Sequence, residues 1–238
     1  MIPLGKTLLI GTASSLLGAV CLDYVLSKHY FKIETIREDT NREQVMKTYA
    51  SLKIPSLNMQ EVSLNDKLEN VSMLDRFESK YGEEIMLMDH YRTSISIPKS
   101  GESMSQLNST EMAQSFYSSP LFGLEKMILA RIEPTFGNLE NSKIEKMNFD
   151  IGENVSIFHV IEKKDDEILL RTPWGSLSWM KVVRKSDSEY ELNFGSGILT
   201  KGHLGSKPMF KVLIPFHAIY SRYLLAFTKR GIAINKKL

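Results

Sequence analysis

The chain has 238 residues, 42% of them apolar, a formal net charge of +2 and a single cysteine, Cys21. So small a charge offers no basic field for nucleic acid. One cysteine excludes an internal disulfide and a zinc site built on several thiolates. The length suits one domain of ordinary size plus flanking segments.

The first element runs from residue 7. Sixteen residues from Thr7 to Leu22 carry no charge, and Tyr24, Val25 and Leu26 extend the run across Asp23 to about twenty, the length that spans a bilayer. Residues 1–30 are therefore expected to form a single-pass transmembrane anchor, with the membrane contacted through residues 7–26. A cleaved signal peptide and a buried helix are the alternatives; no clean small-residue cleavage site is present. Lys6 precedes the span, whereas Lys28, Lys32, Arg37 and Arg42 follow it. This bias places the C-terminal part in the cytosol or the mitochondrial matrix, with the mitochondrial inner membrane ahead of the endoplasmic reticulum. The sequons at Asn70, Asn108 and Asn154 are then expected to stay unmodified.

Residues 31–85 read as a partly helical connector. Thr40 and Glu43 form a capping box, Val45, Met46 and Tyr49 give the following helix an apolar side, and Pro55 ends it. A second amphipathic run passes through Leu68, Val71, Leu74 and Phe77 and stops before Gly82.

The globular part is expected over residues 86–232. Tyr91, Thr93, Ile95 and Ile97 alternate with polar residues, which predicts a half-buried strand. Asn108 with Glu111 can cap a helix through Ala113 and Phe116. Ser119-Pro120 opens another, with Leu124, Met127, Ile128 and Ile132 on its apolar face. From 155 the pattern is β: Val155–Ile161 and Glu167–Arg171 flank a polar turn, Leu177, Trp179 and Val183 continue, and Tyr190, Leu192 and Phe194 alternate until Gly195 and Gly197 break or bulge the strand. Phe210, Val212 and Ile214 predict a last strand. Pro215 then opens a terminal helix whose stripe is Phe216, Ile219, Tyr220, Tyr223, Leu224 and Phe227, with Gly231 as a left-handed stop.

A meandering sheet with one apolar face needs a cover, and the terminal helix is the long amphipathic element available. The order predicts an α+β fold in which an antiparallel sheet wraps a long C-terminal helix, the helix-grip arrangement of START-like domains. Asp166-Glu167-Ile168-Leu169-Leu170, the tryptophan-bearing strand, Leu204-Gly205, Phe210 and Pro215-Phe216-His217 resemble an uncharacterised bacterial and fungal domain family similar to START-like folds. The resemblance covers residues 88–230, with Tyr91 and Ser119-Pro120 fitting its front half. At Thr172-Pro173-Trp174 the family's polar residues are not matched. What it implies is a fold, since the family has no established activity.

Candidate chemistry is sparse. No catalytic residue is expected: His217, in the first turn of the terminal helix, reads first as a capping or packing histidine, and its alternative role is a neutral base at a cavity mouth. His29, His90, His159 and His203 show no metal-ligand spacing, and no cofactor is expected. Ser94, Ser96, Ser176 and Ser178 lack a nucleophile elbow. Trp179, Tyr190, Phe194, Tyr220, Tyr223 and Phe227 are candidate ligand-binding residues that line an apolar cavity or fill a core. The expectation is a membrane-anchored, non-enzymatic domain binding a lipid or isoprenoid. A cyclase- or isomerase-type enzyme using His217 and an assembly factor with a filled core are the alternatives.

Overall fold

The computed structural model of the protein describes residues 32–38, 72–74, 76–97, 106–132, 139–201 and 208–236. The expected span at 7–26 and the capped helix after Thr40 lie outside them. No helix among the described residues is long and apolar enough to cross a membrane.

The fold is α+β, with an antiparallel sheet and a C-terminal helix. Its strands are β1 (Glu34–Glu38), β2 (Ile85–Ser96), β3 (Asn154–Val155), β4 (Phe158–Lys163), β5 (Glu167–Arg171), β6 (Ser176–Arg184) and β7 (Glu189–Leu199). They lie in the order β1-β2-β7-β6-β5-β4-β3, each pair antiparallel. The helices are α1 (Phe77–Tyr81), α2 (Ser109–Tyr117), α3 (Pro120–Ile132), α4 (Asn141–Ile144) and α5 (Pro208–Asn235).

Local chemistry explains most boundaries. Asn108 accepts from the Glu111 N–H while Glu111 reaches back to the Asn108 N–H, a reciprocal cap that starts α2. Ser119 caps α3 through the Phe122 N–H. Gly82 ends α1 in the left-handed conformation. The run Val155–Ile161 is two strands, not one, because Ser156 takes a φ of 56° and turns the chain between them.

Residues 31–85 contribute more than a connector. β1 pairs with β2 from Glu34↔Arg92 onward, and Met73, Leu74, Phe77 and Tyr81 pack across the back of the sheet. The sheet therefore buries apolar side chains on both faces. Tyr91, Ile95, Ile168, Leu170, Met180, Val182, Leu192 and Phe194 face α2, α3 and α5. Met88, Leu169, Leu177, Trp179 and Leu199 face the other way, against Met73, Leu74 and Phe77. One carboxylate fixes that strap: Glu167 Oε1 accepts from Trp179 Nε1 at 2.6 Å and from the Met73 N–H at 2.5 Å.

Gly195 neither breaks nor bulges its strand. β7 pairs in continuous register with β6 through Trp179↔Gly195 and Leu177↔Gly197. The glycine is required by the indole beside it: a Cβ at Gly195 would stand 2.9 Å from Trp179 Cε3 and 3.3 Å from the Asp89 carbonyl oxygen. Gly195→Ala is expected to cost about 1–3 kcal/mol through overpacking. A urea midpoint equal to wild type would show that the ring moves aside freely.

The C-terminal segment differs from its expectation. Phe210–Ile214 is not a strand; one helix runs from Pro208 to Asn235. Phe210, Leu213, Ile214 and His217 also fit helical spacing, and so short an apolar run does not separate the two periods. Pro208, not Pro215, opens the helix, and Pro215 leaves the carbonyl of Lys211 without its usual donor. Gly231 is no stop: the helix passes through it, and its bare Cα faces Ser115 of α2.

The buried face of α5 is also rotated from the expected stripe. Ala218, Ser221, Leu224, Leu225, Thr228 and Ile232 are buried, while Ile219, Tyr220, Tyr223 and Phe227 are half-buried. Small side chains let this helix sit close to α2 and the sheet, so its deepest face is not its most apolar one. On α3, Leu124 and Met127 are 52% and 54% exposed. The charged residues Glu125 and Lys126 turn inward instead. Lys126 is buried, donating to the Leu139 carbonyl at 3.0 Å and to Asn141 Oδ1 at 2.6 Å.

Candidate functional site

Strand parity carries the alternation Tyr190, Leu192, Phe194 on to Ser196, which therefore faces the helices. Ser178 of β6 is its cross-strand neighbour, and Asp89 of β2 lies on its other side. The middle of an otherwise apolar face thus carries a short polar row, all three members buried.

Helical side chains meet this row from above. His217 sits on the third turn of α5, with Nε2 2.9 Å from Ser196 Oγ and 3.5 Å from Ser221 Oγ. Tyr117, at the end of α2, donates its hydroxyl to Ser178 Oγ at 3.0 Å. One turn beyond His217, the Tyr220 hydroxyl donates to Glu125 Oε2 of α3. Three helices and two central strands therefore bring hydroxyls, an imidazole and a carboxyl to one region of the interior.

Burial sets the charge states. It pushes the His217 imidazole down to about 4. His217 lies beyond the first turn of α5, the turn in which it is expected, and desolvation rather than the helix N-terminus lowers it. The same effect pushes the Glu125 carboxyl up to about 7, opposed by the hydrogen bond from Tyr220. The Tyr220 phenol is raised by burial and then by Glu125, and the Tyr117 phenol is raised chiefly by burial. At neutral pH the imidazole and both phenols are neutral, and the Glu125 carboxyl is near its midpoint. A histidine at about 4 is a feeble base, whereas a carboxyl near 7 can give or take a proton. Glu125, rather than His217, is the residue matched to acid–base work.

The six expected ligand-binding aromatics do not meet. Trp179 lies on the opposite face of the sheet, edge-on to His90 at 5.0 Å between ring centroids. Residue parity explains this, since Trp179 alternates with Ser178 and Met180, which point to the helices. Tyr190 and Phe194 are in the helix-side core, with Phe194 packed 4.7 Å from Phe116. Tyr220 packs against that core, and Tyr223 and Phe227 are half-buried on the outer side of α5.

Glu125, Ser178, Ser196 and Tyr117 were not foreseen as a site. The signal for Glu125 was available: it and Lys126 are the charges in the otherwise apolar run from Pro120 to Ala130. Among the described residues no cluster of histidine, cysteine and carboxylates could hold a metal ion. No family model, curated protein or solved structure matches the chain.

Proposed function

We propose that this protein is a membrane-anchored, START-like helix-grip domain that binds an apolar molecule with one polar end, a lipid or isoprenoid bearing a hydroxyl, carbonyl or carboxyl group. The polar end would meet Ser178, Ser196, His217, Tyr220 and Glu125, and the apolar part would run along the face of Phe194 and Leu224. One observation carries this reading. α3 and α5 bury polar side chains, set His217 against Ser196 of the sheet and Glu125 against Tyr220, and leave Leu124 and Met127 exposed and Tyr223 and Phe227 half-buried. An ordinary amphipathic helix in water keeps its polar side chains outside, and here several are buried among apolar ones. This arrangement suits an interior that recognises a polar group and an exterior that lies against apolar material, here the bilayer reached through residues 7–26. The resemblance to the uncharacterised START-like family adds to the same reading.

The test is to purify the full chain in mild detergent and identify co-purifying molecules by mass spectrometry. A lipid-class molecule with a single polar end is expected. Losing one hydrogen bond of about 1.4 kcal/mol is worth tenfold in affinity, so Ser196→Ala should retain far less of it. Equal retention by wild type and Ser196→Ala, or an empty folded protein, would overturn the proposal; the empty protein is the outcome a filled-core assembly factor gives. A second reading, an isomerase- or cyclase-type enzyme, is favoured specifically by the Glu125 carboxyl near 7. Under it the bound molecule is converted over time, and Glu125→Gln stops conversion without releasing the ligand.

A further inference from the structure

A second constellation lies at the β1 edge of the sheet, apart from the interior site. β1 begins its pairing at Glu34↔Arg92, yet β2 runs on to Ser96, so the edge opens there into a groove. The groove holds about 390 Å³ and is lined by three cations and two carboxylates: Lys32, Arg92 and Lys185, with Glu34 and Glu191; Thr93 and Ser94 complete it. The carboxylates are already engaged. Arg92 Nε stands 2.6 Å from Glu34, and Lys185 Nζ stands 3.5 Å from Glu191, which Arg92 also approaches at 3.8 Å.

Lys32 is left over, and a fourth cation joins it. Lys229 of α5 reaches Thr93 Oγ1 at 3.5 Å, and the same hydroxyl donates to the Lys32 carbonyl at 3.1 Å. Among the described residues neither lysine has an ion-pairing carboxylate. Lys229 is half-buried, and its ammonium is held below the usual lysine range first by burial and then by the charge of Lys32. Lys32 itself takes a φ of 51°, a conformation that costs an L-residue roughly 1–2 kcal/mol. The Lys32 backbone and the Lys229 ammonium thus meet at one hydroxyl of the groove wall, Lys32 itself lines the groove, and the like charges of the two side chains repel, an arrangement an anion would relieve.

We propose that this groove is a binding site for a phosphate group, carried either by a soluble phosphate ester or by a lipid headgroup. A phosphate matches the two surplus ammoniums in charge, and charge-assisted hydrogen bonds to ammonium groups are among the strong ones. The groove is larger than phosphate alone, which leaves room for the group that carries it. The proposal does not depend on the interior site, since the two share no residue.

The experiment is lysine-resolved labelling of the full chain in an uncharged detergent, at fixed pH and ionic strength, with an amine-specific acylating reagent and readout by mass spectrometry. The probes are inorganic phosphate and dihexanoyl phosphatidic acid, and exposed Lys143 is the internal control. Labelling of Lys32 and Lys229 should fall about tenfold once a bound probe stands ten times above its Kd. Protection by inorganic phosphate assigns the site to soluble esters. Protection by the lipid where phosphate gives none assigns it to a headgroup. Lys32→Gln, with an unchanged circular dichroism spectrum, should abolish protection of Lys229. No protection by either probe, equal protection of Lys143, or undiminished protection of Lys229 in Lys32→Gln would each overturn the proposal.

Discussion

Trp179→Ala should lower the unfolding free energy by about 3–5 kcal/mol, a large share of what holds a domain of this size. The indole is 2% exposed and fills the space that Gly195 leaves open. It packs edge-on against His90 and donates to the carboxylate that also holds the Met73 N–H. Its removal leaves a cavity between the sheet and residues 72–81 and takes one donor from buried Glu167. Trp179→Phe separates the two effects. It keeps most of the packing and loses the hydrogen bond, a charge-assisted one worth about 1.5–3 kcal/mol. Urea unfolding measures both, and amide exchange in residues 72–81 should accelerate in both variants. A loss below about 1 kcal/mol for Trp179→Ala would mean that the strap does not depend on the ring.

The second large effect is a pair of opposed pH dependences that conceal each other. The Glu125 carboxyl stands near 7 in the folded protein, against 4.5 ordinarily. Between those pH values the folded state holds a proton that the unfolded state has released, so stability falls as pH rises. The His217 imidazole stands near 4, against 6.5 ordinarily. Between those values the unfolded state holds the extra proton, so stability rises with pH. Each gap corresponds to about 3 kcal/mol. In the wild type the two slopes largely cancel from pH 4.5 to 6.5. Glu125→Gln should unmask a gain of about 3 kcal/mol on going from pH 4 to 6.5, and His217→Asn a loss of similar size from pH 4.5 to 7. Urea midpoints across that range give the answer. Parallel pH profiles for the two variants would show that these groups are not desolvated together.

The sequence specified strands and caps well. Asn108 with Glu111 and Ser119-Pro120 act through contacts a few residues apart, so their chemistry is visible in a short window. The alternation around Tyr190 identified β7 for the same reason. What could not be read was which face of an element is covered. Trp179 looks like a core residue from its size alone, but only pairing with Gly195 shows which core it joins. α5 misled because helix contact at Ala218, Ser221 and Gly231 depends on small partners such as Ser115, which no local periodicity reports. α3 misled more deeply. Its apolar residues suggested an inward stripe, yet tertiary contacts with Tyr220, Leu139 and Asn141 draw Glu125 and Lys126 inward. The polar row of the candidate site was legible in principle, by carrying the parity of Phe194 one step past Gly195 to Ser196.

The pairing of β2 with β7 has a consequence for how the protein is made. These are the two longest strands of the sheet, and the side chains of His90 and Asn193, bonded across them, are 103 residues apart in the chain. At about 5–20 residues per second, a ribosome needs roughly 5–20 s after completing β2 to supply its partner. During that interval β2 exposes one long edge rich in apolar side chains, with only short β1 available for the other edge. The hairpins β4–β5 and β6–β7 can close as they emerge, but the β2–β7 seam cannot. Loop closure of this length slows folding. Emergence of β7, rather than of β2, is then the event that commits the sheet to its fold.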